Sequence, residues 1–296
     1  MDIVIPFVDC SDEVWMMNAI KSGAFGSELR FECFYNFDTI KYVFRGISKY
    51  IPYVKNIFLV VSNKEQIPKY IDTSKVKIVF HEDFIPPQYL PCFNACTIEM
   101  FIHRIPGLGE EFLYFNDDII PMNDIKYEDL FDSGLPRINF EEECRTPGPS
   151  KSHCRISFYE ALNSCNMNGY NIEYEGPIMV PIHAAVPLLK SECEWAASLE
   201  RHDSLVEAYT TQTKSPRNIN QYYWADILFF KNKYRPSNIS LKYINTADLI
   251  GIDNICDSNY MCINDYGTGD LMRSEVKDII CEALDKIFPN KCEYER

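Results

Sequence analysis

Phe112-Leu113-Tyr114-Phe115-Asn116-Asp117-Asp118 is the stretch from which the fold can be read. Four apolar or aromatic residues in a row, without alternation, suit a strand covered on both faces, as in a parallel α/β sheet. Asn116, Asp117 and Asp118 then fall where that strand should end. In open α/β sheets, ligands bind outside the carboxyl ends of the strands. Two adjacent carboxylates repel each other unless a cation lies beside them. A hard divalent ion such as Mg²⁺ or Mn²⁺, carrying a phosphate, suits oxygen ligands of this kind. The same three residues also make an ordinary polar turn, so the rest of the chain must decide.

Upstream, the spacing predicts a helix over 94–103, with Ile98, Phe101 and Ile102 on one side and Pro106-Gly107 as its stop. Residues 75–81 and 56–62 read as two more buried strands, rich in β-branched residues. Before them, Asp38 is placed to cap a helix in which Ile40, Val43, Phe44, Ile47 and Ile51 recur at helical spacing. Arg45 falls off that stripe, and Pro52 ends it. The first strand candidate is 2–8, with Pro6 near its end. Ser11 or Asp12 can cap a helix through Val14, Trp15 and Asn18. Asp9, at the end of the first strand, should face the same sheet edge as Asp117 and Asp118. Strand, helix, strand at this spacing is the βαβ pattern of an α/β protein.

Downstream the pattern loosens. A short helix is expected over 127–131, a charged, Pro-rich loop over 141–151 and a helix over 155–167. A short strand over 176–181 leads into Ile182-His183, and 188–234 reads as helix-rich. Residues 239–246 form another strand candidate, and Tyr260-Met261-Cys262-Ile263 runs into Asn264-Asp265. A last helix carries Val276, Ile279, Ile280, Ala283, Leu284, Ile287 and Phe288 on one stripe, with Ser274 as its cap. No repeat, low-complexity tract or linker divides the chain. Residues 1–296 therefore read as one catalytic domain, with a helix-rich section at about 185–235.

Composition narrows the partners. Lys and Arg total 29 against 43 Asp and Glu, and that balance argues against nucleic acid or a broad anionic membrane surface, which want a basic face. An anionic nucleotide remains acceptable where a metal and a few Arg reverse the local sign. No run approaches the ~20 apolar residues of a membrane helix, and the N-terminal residues lack the features of a signal peptide. The expected location is cytoplasmic, with loose attachment at a membrane compatible. The 12 Cys are scattered without a Cys-x-x-Cys pair and read as reduced thiols. The five His do not cluster with Cys at zinc-ligand spacing.

Phosphate loops, dinucleotide-binding glycine fingerprints, nucleophile elbows and zinc helices are all missing. What remains are acids at the ends of apolar runs: Asp9, Asp117 with Asp118, and Asp265. Three segments ending this way can converge on one oxygen-ligated metal.

Val4-Ile5-Pro6-Phe7-Val8-Asp9-Cys10-Ser11-Asp12 with Trp15 looks like the opening motif of a known family, the Stealth proteins. Lys41 to Ile47, with Lys49-Tyr50 and Pro52, continues the likeness. The most specific block is Ile78 to Asp83, Leu90 to Asn94, Ile98-Glu99, His103 to Leu108, and Phe112 to Asp118. Pro181-Ile182-His183 with Arg217-Asn218, and Cys262 to Asp265, are similar to two later regions. Cys10 replaces the usual Gly, Lys41 the common Arg, and Gly46 and Ala95 the usual Ser.

The resemblance implies transfer of a sugar-1-phosphate from a nucleotide sugar, typically a UDP-sugar, to a glycan hydroxyl, as in capsular polysaccharide synthesis. It implies a Rossmann-like, nucleotide-sugar-transferase-like α/β fold with a mostly parallel sheet, helices on both faces and a helix-rich second half. It also implies Mg²⁺ or Mn²⁺ held by Asp117 or Asp118 and Asp265, proton transfer by His183, and phosphate gripped by Arg217. Asp9, Asp12 and Asn94 fall on motif positions without firm roles, while Arg45 and Arg104 are further phosphate candidates. The acceptor could be lipid-linked. Two other readings stay open: a glycosyltransferase that releases UDP, and a protein that binds a nucleotide sugar without catalysis.

Overall fold

The computed structural model describes residues 1–23, 34–143, 152–199, 203–213, 215, 217–247, 249, 252, 256–265 and 272–296. Its centre is a five-stranded sheet. Strand β1 (Asp2–Pro6) lies between β2 (Asn56–Val61) and β4 (Glu111–Tyr114), and β3 (Lys77–Phe80) flanks β2. These four strands are mutually parallel, and Val186–Leu189 closes the β4 edge in the antiparallel sense. Pro6 ends β1, where its missing N–H does least harm to the ladder.

The unbroken apolar runs have a simple cause. Ile3 and Ile5 of β1, Ile57, Leu59 and Val61 of β2, and Leu113 of β4 enter one hydrophobic core. Val4, Phe58, Val60, Phe112 and Tyr114, which alternate with them, enter a second core on the other face. A strand buried on both faces needs apolar residues at every position. The first core is closed by helix α2 (Thr39–Tyr50) and the C-terminal helix Arg273–Ile287. The second is closed by Ala95–Phe101, Ser152–Met167, Lys190–Ser198, Asp203–Thr210 and Tyr222–Phe230. The arrangement is the expected α/β architecture, and the helix-rich half covers one face of the shared sheet.

A smaller sheet builds the far side of the site. Strand β5 (Ile119–Pro121) pairs antiparallel with Tyr260–Asn264, which runs parallel to Leu241–Asn245. The 112–118 stretch therefore does not run as one strand. Its ladder stops at Tyr114, residues 116–118 turn, and β5 starts a second sheet.

Several local expectations change. Helix α1 (Glu13–Lys21) is capped by Asp12, whose side chain accepts from Val14 N. Asp38 stands at the start of α2 but makes no side-chain cap; its carboxylate pairs with Lys277 at 2.8 Å instead. The last helix begins at Arg273, not after a Ser274 cap. Strand Val186–Leu189 falls inside a segment expected to be helical. Most of the expected loop over 141–151 lies outside the described residues, although Phe140–Glu142 pairs with Met179–Pro181 in a two-stranded antiparallel sheet. All ten described cysteines are free thiols.

Candidate active site

The carboxyl ends of β1 and β4 open into a cavity of about 380 Å³, a size typical of small-molecule sites. The turn after β4 brings Asn116, Asp117 and Asp118 to its wall, the turn after Met179–Pro181 brings His183, and the end of Tyr260–Asn264 brings Asp265. Hydrogen bonds hold these segments together. Phe115 N donates to Val4 O at 2.9 Å, and Ile263 N donates to Asp118 O at 3.0 Å. Residues separated by more than half of the chain thus share one cavity.

The electrostatics are unbalanced. Four carboxylates, Glu99, Asp117, Asp118 and Asp265, line the cavity, and no Lys or Arg does so among the described residues. Burial, together with the neighbouring Asp118, pushes the Asp117 carboxyl up to about 8. Burial raises Asp118 as well, while His183 and the Cys262 thiol hold it down. Asp118 Oδ1 is buried without a hydrogen-bond partner. A buried carboxylate oxygen lacking a donor is costly. A divalent cation would satisfy it and remove the repulsion between the two acids, so these residues fit an oxygen-ligated ion.

His183 is held from both sides. Its Nδ1 lies 2.8 Å from the Tyr222 hydroxyl, and its Nε2 lies 3.3 Å from Asn116 Nδ2. An amide nitrogen can only donate, so this contact leaves the lone pair on Nε2 and the proton on Nδ1. Tyr243, half exposed on Leu241–Asn245, has its ring centroid 6.3 Å from the imidazole.

Asp265 reaches the same lining but is engaged elsewhere. Its Oδ1 accepts from Thr246 Oγ1 at 3.1 Å, and its Oδ2 lies 3.8 Å from Arg273 Nε. Arg273 is buried and brings a cation next to this wall that residue order alone does not point to. Glu99 belongs to the family-like block but was given no role in the site, which it also lines. Tyr114 Oη and Gln221 N donate to its two oxygens at 3.0 and 2.8 Å. Its signal was weak, because a single acid on an apolar helix face reads as a surface residue until the opposite helix is placed.

The other sequence candidates lie away from this wall. Arg45 is buried, its Nε and Nη2 forming a fork on Glu295 at 2.7 and 2.9 Å, and its Nη1 donates to Phe288 O. With Nη1 also donating to Asp285, four of its five N–H donors are held by the C-terminal segment, away from the cavity lining. Arg104 is exposed and stacks over Phe101. Asn94 is fully buried: it caps Ala95–Phe101 and donates to Asn218 Oδ1 at 2.8 Å, which ties that helix to the 211–218 segment. Asp9 and Asp12 line a separate depression that shares only Phe7 and Asn36 with the cavity. Asp9 accepts from Ser11 N and Asn36 Nδ2, and Asp12 accepts from Val14 N, Asn63 and Gln66. Both are saturated. Arg217 is exposed and outside the lining, on the segment that supplies Asn220 and Gln221 to it.

A profile for Stealth protein conserved region 2 matches residues 33–138, the part that carries Glu99, Asp117 and Asp118. The capsular polysaccharide phosphotransferase WcwK of Streptococcus pneumoniae is 27% identical, covering 100% of this chain and 99% of that protein. The capsular polysaccharide phosphotransferase eps5J of Streptococcus thermophilus is 37% identical over 145 residues, 47% of this chain and 60% of that protein. Among solved structures, the galactosyltransferase LgtC in complex with donor and acceptor sugar analogs aligns with a TM-score of 0.46 and 9% identity, covering 97% of this chain and 96% of that one. The profile match over residues 33–138 and the end-to-end likeness to WcwK make this chain similar to the Stealth proteins and to capsular polysaccharide phosphotransferases.

Proposed function

We propose that the protein is a phosphotransferase that moves a sugar-1-phosphate from a nucleotide sugar to a glycan hydroxyl, forming a phosphodiester in the synthesis of a capsular or other surface polysaccharide. The observation that carries this reading is the cavity wall, where two adjacent carboxylates and an imidazole meet with no Lys or Arg among the described lining residues. The names of relatives matched over most of their length supply the reaction class.

Asp117 and Asp118 would hold a divalent ion, Mg²⁺ or Mn²⁺, which when bound supplies positive charge against the donor pyrophosphate. The rest falls to the chain's own side chains. His183 Nε2 accepts the proton of the acceptor hydroxyl, and Tyr222 fixes the ring so that this nitrogen keeps its lone pair. The acceptor oxygen forms a bond to the phosphorus attached to the sugar. The bond from that phosphorus to the nucleoside monophosphate breaks, and its electron pair leaves with the nucleotide. The anomeric carbon–oxygen bond stays intact. Tyr243 offers its exposed ring face beside His183 for the acceptor sugar, and Arg217 meets phosphate at the approach. A lipid-linked glycan is compatible as acceptor; no helix among the described residues is long and apolar enough to cross a membrane.

The test is product analysis with a UDP-sugar, Mn²⁺ and a capsular oligosaccharide. Release of UMP with a phosphodiester signal by phosphorus NMR supports the reading. Release of UDP overturns it in favour of glycosyl transfer.

A further inference from the structure

We infer that Asp118, His183 and Cys262 form a second, inhibitory metal site, which takes a thiophilic divalent ion such as Zn²⁺ and withdraws His183 from proton transfer. The inhibitory consequence rests on the role of His183 given above; the binding itself does not.

Each of the three residues offers a ligand atom, and these atoms all lie within 4.8 Å of one another. Separate segments supply them, and the backbone fixes their register. Cys262 pairs with Ile119, next to Asp118, and Ile263 N donates to Asp118 O. Cys262 Sγ then sits 3.4 Å from Asp118 Oδ2. Sulfur and oxygen ligands at about 2.3 and about 2.0 Å from a tetrahedral zinc ion stand roughly 3.5 Å apart. The pair is therefore already spaced as two ligands of one ion. His183 brings nitrogen, with Nδ1 anchored on Tyr222 at 2.8 Å, the outer contact that orients metal-binding imidazoles. The remaining oxygen, Asp118 Oδ1, is buried and has no hydrogen-bond partner.

The donor set decides the ion. One carboxylate, one imidazole and one thiol match zinc sites that keep a fourth position open. Mg²⁺ prefers oxygen and gains little from sulfur or nitrogen. The Asp117–Asp118 carboxylates therefore suit Mg²⁺ or Mn²⁺, whereas the Asp118–His183–Cys262 corner suits Zn²⁺. Asp118 belongs to both, so the two ions compete.

Co²⁺ is the spectroscopic probe, titrated into the full, metal-free chain. One equivalent should bind with a near-ultraviolet thiolate-to-cobalt absorption, which an equivalent of Zn²⁺ abolishes and Mg²⁺ lowers only in large excess. Cys262→Ser should lose the absorption, and His183→Ala should weaken binding. Cys256→Ser, at another buried thiol, should keep both, and melting curves confirm that each variant is folded. Cobalt bound without thiolate absorption, or absorption that survives Cys262→Ser, overturns the inference and leaves the transferase reading intact. Loss of turnover on adding Zn²⁺, reversed by a chelator, tests the inhibition; turnover that persists with the site filled refutes it.

Discussion

The Tyr222 hydroxyl stands 2.8 Å from Nδ1 of His183, so the helix Tyr222–Phe230 orients the imidazole of a turn 39 residues earlier. Tyr222 is buried and should act by positioning the ring rather than by touching substrate. His183→Ala should lower kcat by about 10²- to 10⁴-fold, the usual worth of a general base. Tyr222→Phe removes one hydrogen bond and should lower kcat by about 3- to 10-fold with little change in KM. Steady-state kinetics of both variants check this. An unaffected Tyr222→Phe enzyme would mean that the contact does not set the ring.

Asp117 predicts a pH-dependent stability. In the metal-free chain its folded-state value, about 8, lies above the ordinary carboxyl value of about 3.9. Between these limits the folded state holds a proton that the unfolded state has lost. Stability from this group is therefore full at low pH and declines as pH rises toward 8. Urea midpoints measured from about pH 5 to about pH 8 in a chelator should fall, and Asp117→Asn should flatten that slope. Mn²⁺ should raise the high-pH midpoints by binding the folded state alone. A slope that is the same in Asp117→Asn would assign the effect to another group.

Much of this site could be read from residue order, and the reasons for the rest are physical. Buried parallel strands announce themselves by unbroken apolar runs, so β1, β2 and β4 were legible. Acids at strand ends were legible too, because little else places carboxylates after a buried strand. Partnership was not. Whether Arg45 meets a phosphate or Glu295 depends on a contact across 250 positions of chain. Asp38 illustrates the same limit: its local cap lost to an ion pair with Lys277. Strand Val186–Leu189 contains a proline and precedes a helix directly, so only its place at the β4 edge makes it a strand.

Arg45 and Arg217 should separate cleanly under mutation. Burial pushes the Glu295 carboxyl up, but its hydrogen bonds to Arg45 and Cys292 and the Arg45 charge together hold it below the ordinary carboxylate range. Its contribution is thus present above the unfolded value and lost as pH falls through the lower folded value. Glu295→Gln should cost about 1–3 kcal/mol near neutral pH and less in acid, with turnover per folded molecule unchanged. Arg217→Ala should do the reverse, lowering kcat/KM by about 10- to 100-fold without moving the melting temperature. Loss of turnover per folded molecule in Glu295→Gln would show that the Arg45–Glu295 pair reaches the active site, and a lowered melting temperature in Arg217→Ala would give Arg217 a structural role.

Gly46 sets how closely α2 approaches the acidic turn. A Cβ built there would stand 2.6 Å from Pro121 O and 2.8 Å from Pro121 Cδ. Those are backbone and ring atoms, which cannot swing aside as the end of a long side chain can. Pro121 ends β5, three residues after Asp118, so any retreat of the strand moves the metal-binding wall. Gly46→Ala should therefore destabilise the protein by about 1–3 kcal/mol, the range for overpacking. Gly46→Ser should be at least as damaging, because its hydroxyl adds volume at the same contact. Both should also weaken Mn²⁺ binding, since Asp118 shifts with the strand. Calorimetric titration of Mn²⁺ below the melting temperature checks the second effect independently of the first. A Gly46→Ala protein with normal stability would show that α2 can slide away from β5, and unchanged Mn²⁺ affinity in a destabilised variant would show that the acidic turn does not follow the strand.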